Sequence, residues 1–326
     1  MTAAIDDFDF VVDTIEKNYA GFPSKVTKSS LDAYEFLKTS LRESYLHTED
    51  LKKQEEVLNE FLSFFSDKHI SIQSNGETQE ETSGSEQKPT FEKIDEDTVL
   101  IRIPSFLPEN YDDIDSLIQE HHELLTEAPN LVIDLRGNGG GSDACFNPLL
   151  PYVCPEALNI VGADVRATQG NIEYLQELAN LHDFPEESLN QIRTLTALMA
   201  QNLGGFVEMV PTQDIELEEV FKKPEKVAIC IDRNCASSTE QFLIFALQSP
   251  KVTLFGENTA GCIDFSNLVP AQTPSKNWTI YYPISRSKRI PLNQIDGHGI
   301  EPHVQMDTGS KDLINQVARH LQADSH

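Results

Sequence analysis

The chain has 326 residues, 39% of them hydrophobic, and sets 25 Lys and Arg against 53 Asp and Glu, for a formal charge of −28. That composition is globular, with length for roughly two domains, and so negative a field repels phosphate backbones and anionic lipid, which argues against nucleic acid and membrane surfaces as partners. The longest apolar runs, such as 226–231 and 244–247, fall far short of the roughly 20 residues a transmembrane helix requires. The opening MTAAIDDFDF lacks the basic flank, apolar core and cleavage site of a secretory signal, so a cytoplasmic address is expected.

Apolar residues recur at three- and four-residue steps through Phe8–Ile15, Leu31–Leu41 and Leu51–Phe65, which predicts a helical amino-terminal cap over 1–73 that ends in the segment of His69. Residues 74–97 open with SNGETQEETSGSEQKP, too polar to offset the entropy of ordering it, and read as an acidic flexible loop. From 98 to 326 short β-rich runs alternate with amphipathic helices, the pattern of an α/β core. Strands are expected at Val99–Ile103, Leu131–Leu135, Val227–Ile231 and Val252–Phe255, and helices at Tyr111–Leu125, from Ser142, at Ser237–Leu247 and at Lys311–Leu321, the last docking on the core. A helical insertion at about 156–225, with helices at Ile172–Leu181 and Glu187–Leu203, resembles a lid; its Glu173, Glu177, Glu186 and Glu187 read as a solvated face. The cysteines Cys145, Cys154, Cys230, Cys235 and Cys262 are odd in number and form no CxxC pair, so reduced thiols are expected, and no metal site or other cofactor is foreseen.

Two stretches could carry chemistry. In LVIDLRGNGGGSD, residues 131–143, an apolar strand runs into four glycines within five positions. Such a turn can aim main-chain N–H groups at an anion, or can be no more than a tight strand-to-helix turn. The GxxxxGK[ST] and GxGxxG phosphate patterns are both broken here. In VAICIDRNCASSTEQFLIFAL, residues 227–247, Ser237 stands at a helix entrance. It is placed either as a nucleophile, with the next N–H and the positive helix end beside it, or as an N-cap whose box is closed by Glu240.

Together these stretches resemble the C-terminal processing (tail-specific) serine peptidase family, which also includes the tricorn protease core and the interphotoreceptor retinoid-binding proteins. The resemblance rests on DLRGNGGG at 134–141, NCASSTEQF at 234–242, LFGENTAGC at 254–262 and DGHGIEPHV at 296–304. It implies a crotonase/ClpP-like spiral α/β core and a serine peptidase acting on a peptide or unfolded protein. The family nucleophile falls on Ser237, and the oxyanion donors on the N–H of Ser238 and of a glycine among 139–141, Gly140 first and Gly139 beside it. The lysine base of one branch falls on Cys262; a thiol is too weak a base to replace it and, once deprotonated, would itself be the better nucleophile.

The tricorn-like branch implies instead His69, in FFSDKHISI, as general base and Asp296 as the carboxylate that orients its ring. Lys68 stands where that branch has a serine before the histidine, Ser66 is out of register, and Asp296 replaces a longer Glu. His298 and His303 are rival bases in the final motif. The PDZ-like module of many relatives has no room in the 29 residues between His69 and Val99. Two alternatives to the serine peptidase are a silent relative that binds a peptide or apolar ligand in the same cleft, and a thiol enzyme using Cys235 or Cys262.

Overall fold

The computed structural model describes residues 6–75, 88–181 and 184–323, and these divide into two compact units. The first is built from 6–75, 161–212 and 264–293, the second from 88–160, 213–263 and 294–323. Residues 76–87, half of the expected acidic loop, lie outside the described residues, and a strand at Thr90–Lys93 occupies part of that 74–97 segment.

In the first unit the helix Asp7–Asn18 starts where Asp6 accepts the Asp9 N–H, and its Phe8, Val11, Val12 and Ile15 face inward. Helices Leu31–Leu46 and Leu51–Ser63 repeat the pattern, the second capped by Asp50. They pack on an antiparallel sheet that the sequence reading did not foresee. Its long strand Trp278–Ser287 pairs with Phe265–Gln272, Ser71–Ser74 and Ala163–Arg166, the last of which pairs with Phe206–Val210. Trp278, Ile280, Tyr282 and Ile284, at alternate positions of one strand, join Phe8, Tyr19, Tyr34, Phe61 and Phe65 in one core.

The two helices expected in the 156–225 segment form at Gln169–Leu181 and Glu186–Gln201; strands flank them, and residues 161–212 belong to this unit. Arg166 donates to the Tyr19 and Glu16 carbonyls, Asn171 donates to the Asn18 carbonyl, and Ile172 and Met199 enter the core.

The second unit holds a six-stranded sheet in the order Val304–Gln305, Val252–Gly256, Lys226–Ile231, Asn130–Asp134, Thr98–Arg102, Thr90–Lys93, parallel except for the last pairing. A parallel sheet covered on both faces needs strands apolar on both, which VLI, LVI and VAICI supply. Val99, Ile101, Leu131, Ile133, Val227 and Ile229 pack with Ile114, Phe146 and Phe242. Their neighbours Leu100, Val132, Ala228 and Cys230 pack with Leu313, Val317 and Leu321 of the carboxy-terminal helix Leu313–Ala323, which docks on the core as expected. The helix expected from Ser142 is instead a 3₁₀ run, Asp143–Leu149, followed by the short helix Leu150–Val153. Pro148 and Pro151 remove the N–H donors a longer α-helix would need. Short strands Ala157–Ile160 and Gln213–Glu216 pair at the edges of the 156–225 segment. Among the described residues no helix is long and apolar enough to cross a membrane.

Candidate active site

The strand Lys226–Ile231 and the helix Ser238–Ala246 are joined by a turn that the Asp232 side chain organises. Its Oδ1 accepts the N–H of Asn234 at 2.9 Å and of Gly137 at 3.0 Å, so one carboxylate ties this turn to the start of the glycine run. At the end of the turn Ser237 has φ 56° and ψ −122° and makes no side-chain cap bond to the helix. A non-glycine residue there costs roughly 1–3 kcal/mol, strain that persists only where the surroundings impose it. Its main-chain N–H is held by the Cys262 carbonyl at 3.0 Å. The capping reading of Ser237 is thereby overturned.

Glu240 does not close a capping box either. It is fully buried, and its carboxylate accepts from Thr259 Oγ1 at 2.5 Å, the Gly261 N–H at 2.8 Å and the Cys262 N–H at 2.7 Å. The Cys262 carbonyl that fixes Ser237 thus sits on a loop anchored by Glu240. Glu240→Ala strands three buried donors and is expected to destabilise the fold by about 3 kcal/mol or more, checked by chemical denaturation.

The glycine run is stitched to the same helix entrance by Asn138, fully buried. Its Nδ2 donates to the Ile103 carbonyl, its Oδ1 accepts the Gly140 N–H at 3.0 Å and the Thr239 hydroxyl at 2.8 Å, and its own carbonyl accepts the Ala236 N–H. The Gly140 N–H, first among the expected oxyanion donors, is therefore engaged by Asn138. The N–H groups of Gly139 and Ser238 have no acceptor among the described residues. Gly140 is required for space: with φ +93°, a Cβ there would lie 2.5 Å from the Ala236 carbonyl oxygen and 2.8 Å from Ser237 Cβ.

Asp134 and Arg136 of the same motif are scaffolding. Arg136 donates to both Asp134 oxygens and to the Thr308 carbonyl at 2.6 Å, and the Asp134 carboxylate holds its guanidinium above its usual pKa.

The final motif packs on the 259–263 loop. The Thr259 N–H donates to the Ile300 carbonyl and the Ile300 N–H to the Thr259 hydroxyl, and Gly299 lies so close that a Cβ would be 2.2 Å from the Thr259 carbonyl oxygen. Asp296, 4% exposed, accepts the Ile263 N–H on Oδ1 at 2.7 Å. The rival His303 uses Nδ1 to accept the Leu254 N–H at 2.9 Å, which makes it a sheet-edge support, and His298 is exposed. Cys235 is also structural. Its thiol is fully buried, donates to the Leu135 carbonyl at 3.0 Å, and is pushed well above its usual pKa by burial, so it is no thiolate nucleophile.

In the first unit His69 is buried, with Nδ1 bonded to the Phe265 carbonyl oxygen at 2.6 Å. A carbonyl only accepts, so Nδ1 carries the proton and the lone pair of the neutral ring is on Nε2. The main-chain N–H of His69 donates to Asp67, whose other oxygen accepts the Tyr19 hydroxyl. Lys68 and Ser66 are exposed. Nothing local in FFSDKHISI marks Asp67, because its partner Tyr19 lies 48 residues away. The parts played by Asn138 and Glu240 also rest on partners distant in sequence.

A strained serine at a strand-to-helix turn of an α/β core is an arrangement in which serine-type hydrolases expose a nucleophilic hydroxyl. Residues 97–306, well over half of the chain, match the model of peptidase family S41, and the chain belongs to that family of serine-type peptidases. All four sequence motifs fall inside the match; His69 lies before it. No curated protein matches the chain. Solved structures similar to it include a candidate peptidase from Parabacteroides merdae (15% identity, 97% of this chain and 95% of that one, TM-score 0.62) and a lipoprotein from Streptococcus agalactiae (14%, 99% and 98%, TM-score 0.58). The photosystem II D1 C-terminal processing protease is a third (11%, 94% of each chain, TM-score 0.51). At these identities the likeness is one of fold.

Proposed function

We propose that this peptidase cleaves peptide bonds of a peptide or unfolded protein, near carboxy termini in the manner of tail-specific relatives, with Ser237 as nucleophile and His69 as general base. The observation that carries the reading is the strained Ser237, whose hydroxyl makes no cap bond to the helix it precedes. Ser237 Oγ attacks the scissile carbonyl as His69 Nε2 takes its proton. The N–H groups of Ser238 and Gly139 receive the oxyanion, and the imidazolium returns the proton to the leaving amine. Water then hydrolyses the acyl-enzyme by the same base. Asp296 is the carboxylate that steadies the charged imidazole in this reading, and it also holds the Ile263 N–H, next to the Cys262 whose carbonyl fixes Ser237.

Strands that follow one another across the sheet in chain order support a crotonase-like spiral. Five buried free thiols support a reducing, cytoplasmic address.

A fluorophosphonate probe tests the nucleophile. Wild type is expected to gain one adduct by mass spectrometry and Ser237→Ala none, with iodoacetamide leaving activity intact. Folded wild type that takes no label would overturn the reading, as would label retained by Ser237→Ala.

A further inference from the structure

A buried carboxylate outside the four motifs stands beside the proposed base. Asp67 is 7% exposed, two residues before His69 at 8%. Its Oδ1 accepts the His69 main-chain N–H at 2.9 Å and its Oδ2 accepts the Tyr19 hydroxyl at 2.7 Å. A carboxylate oxygen of Asp67 and a ring nitrogen of His69 lie within 4.8 Å of each other. Tyr19 serves both ends of this arrangement. While its hydroxyl holds Asp67, its ring packs edge-on against Phe265 at 5.8 Å, the residue whose carbonyl oxygen fixes His69 Nδ1.

A carboxylate buried among aromatic side chains is unfavourable for folding unless donors and cations compensate it. Burial pushes the Asp67 carboxyl above its ordinary pKa, and the groups acting against that push are the Tyr19 hydroxyl, the His69 N–H, the His69 ring and Lys25. Lys25 lies over the Phe265 ring, 5.5 Å from its centroid. Three of these four groups, the His69 N–H, the His69 ring and Tyr19, also hold or form the His69 support itself.

We propose that Asp67 is a positioning residue for His69: it fixes the turn that carries the imidazole and places a negative charge beside the imidazolium formed when Ser237 gives up its proton. This rests on the reading of His69 as base. The tautomer is already set by the Phe265 carbonyl, so Asp67 acts through charge and placement, and its loss is less damaging than loss of the ring. Tyr19 keeps the carboxylate oriented and shields it from solvent.

The experiment compares Asp67→Asn, which keeps an oxygen for the His69 N–H and removes the charge, with His69→Ala and wild type, on a fluorogenic peptide across pH 4–9. Asp67→Asn is expected to lower kcat roughly 10- to 100-fold with little change in KM. It should also move the acid limb of the kcat profile to lower pH by about one unit, because an imidazolium without its anion gives up its proton more readily. A structural role alone would lower activity without moving that limb. An unmoved limb in Asp67→Asn, with His69→Ala inactive, overturns the inference and leaves His69 as base. A His69→Ala protein with wild-type kcat overturns the reading beneath it. Should Asp67→Asn fail to fold, Asp67→Ser retains an oxygen acceptor without the charge. The His69 ring titration by NMR in a Ser237→Ala background then decides, a lowered midpoint supporting the proposal and an unchanged one ending it.

Discussion

His69→Ala is expected to lower kcat by ~10²- to 10⁴-fold, about 3–5 kcal/mol of transition-state stabilisation, while KM for a short peptide changes little. The ring is asked to do its work only as the proton moves, so its removal costs the transition state and not the bound substrate. The two histidines of the final motif supply the comparison. His303 holds the Leu254 N–H through Nδ1, so His303→Ala should lower the unfolding midpoint and leave kcat close to wild type. His298 is exposed, and its replacement should move neither. Steady-state kinetics on the three variants, beside circular dichroism to establish folding, give the answer. A large loss of kcat in a folded His298→Ala protein would transfer the base to that residue.

Gly140→Ala should be nearly as damaging, by a different cause. The new methyl would stand 2.5 Å from the Ala236 carbonyl oxygen, 2.8 Å from Ser237 Cβ and 2.9 Å from the Ser238 nitrogen, on a backbone already at φ +93°. All three neighbours belong to the rigid turn and none is the tip of a flexible chain, so the turn itself must yield. Overpacking of this kind costs roughly 1–3 kcal/mol of stability. A nucleophile displaced by about 1 Å loses on the order of 10²-fold in rate. Gly139 is the contrast for stability: an added Cβ there meets nothing within 4 Å, so Gly139→Ala should unfold at nearly the wild-type denaturant concentration. Equal unfolding midpoints for Gly140→Ala and wild type would contradict the steric account.

The features legible in the sequence were those whose cause is local. Period-3.6 apolar spacing gave the helices around Phe8–Ile15 and Leu51–Phe65, and runs apolar on both faces gave the parallel strands at 131–135 and 227–231, since backbone geometry alone decides which side chains share a face. The strand Phe265–Gln272 escaped notice because its exposed and buried positions do not alternate cleanly and Pro270 interrupts it, and only pairing with Trp278–Ser287 makes it a strand. The division into units was likewise hidden. A segment such as 161–212 joins the helices of the amino terminus through Arg166 and Asn171, and such long-range bonds leave no local trace.

At the site, residue types and spacing determined the family and pointed to Ser237, because four ordered motifs are a strong signal in one dimension. Whether that serine caps its helix or is withheld from it was open until its dihedral angles were known, for both uses want the same residue at the same place. In the same way the Gly140 N–H lost its expected part to Asn138, and Glu240 exchanged a cap for the 259–262 loop. The order of residues limits which groups can donate or accept. Which donor meets which acceptor is fixed only when distant segments are packed together and each buried polar atom must find a partner.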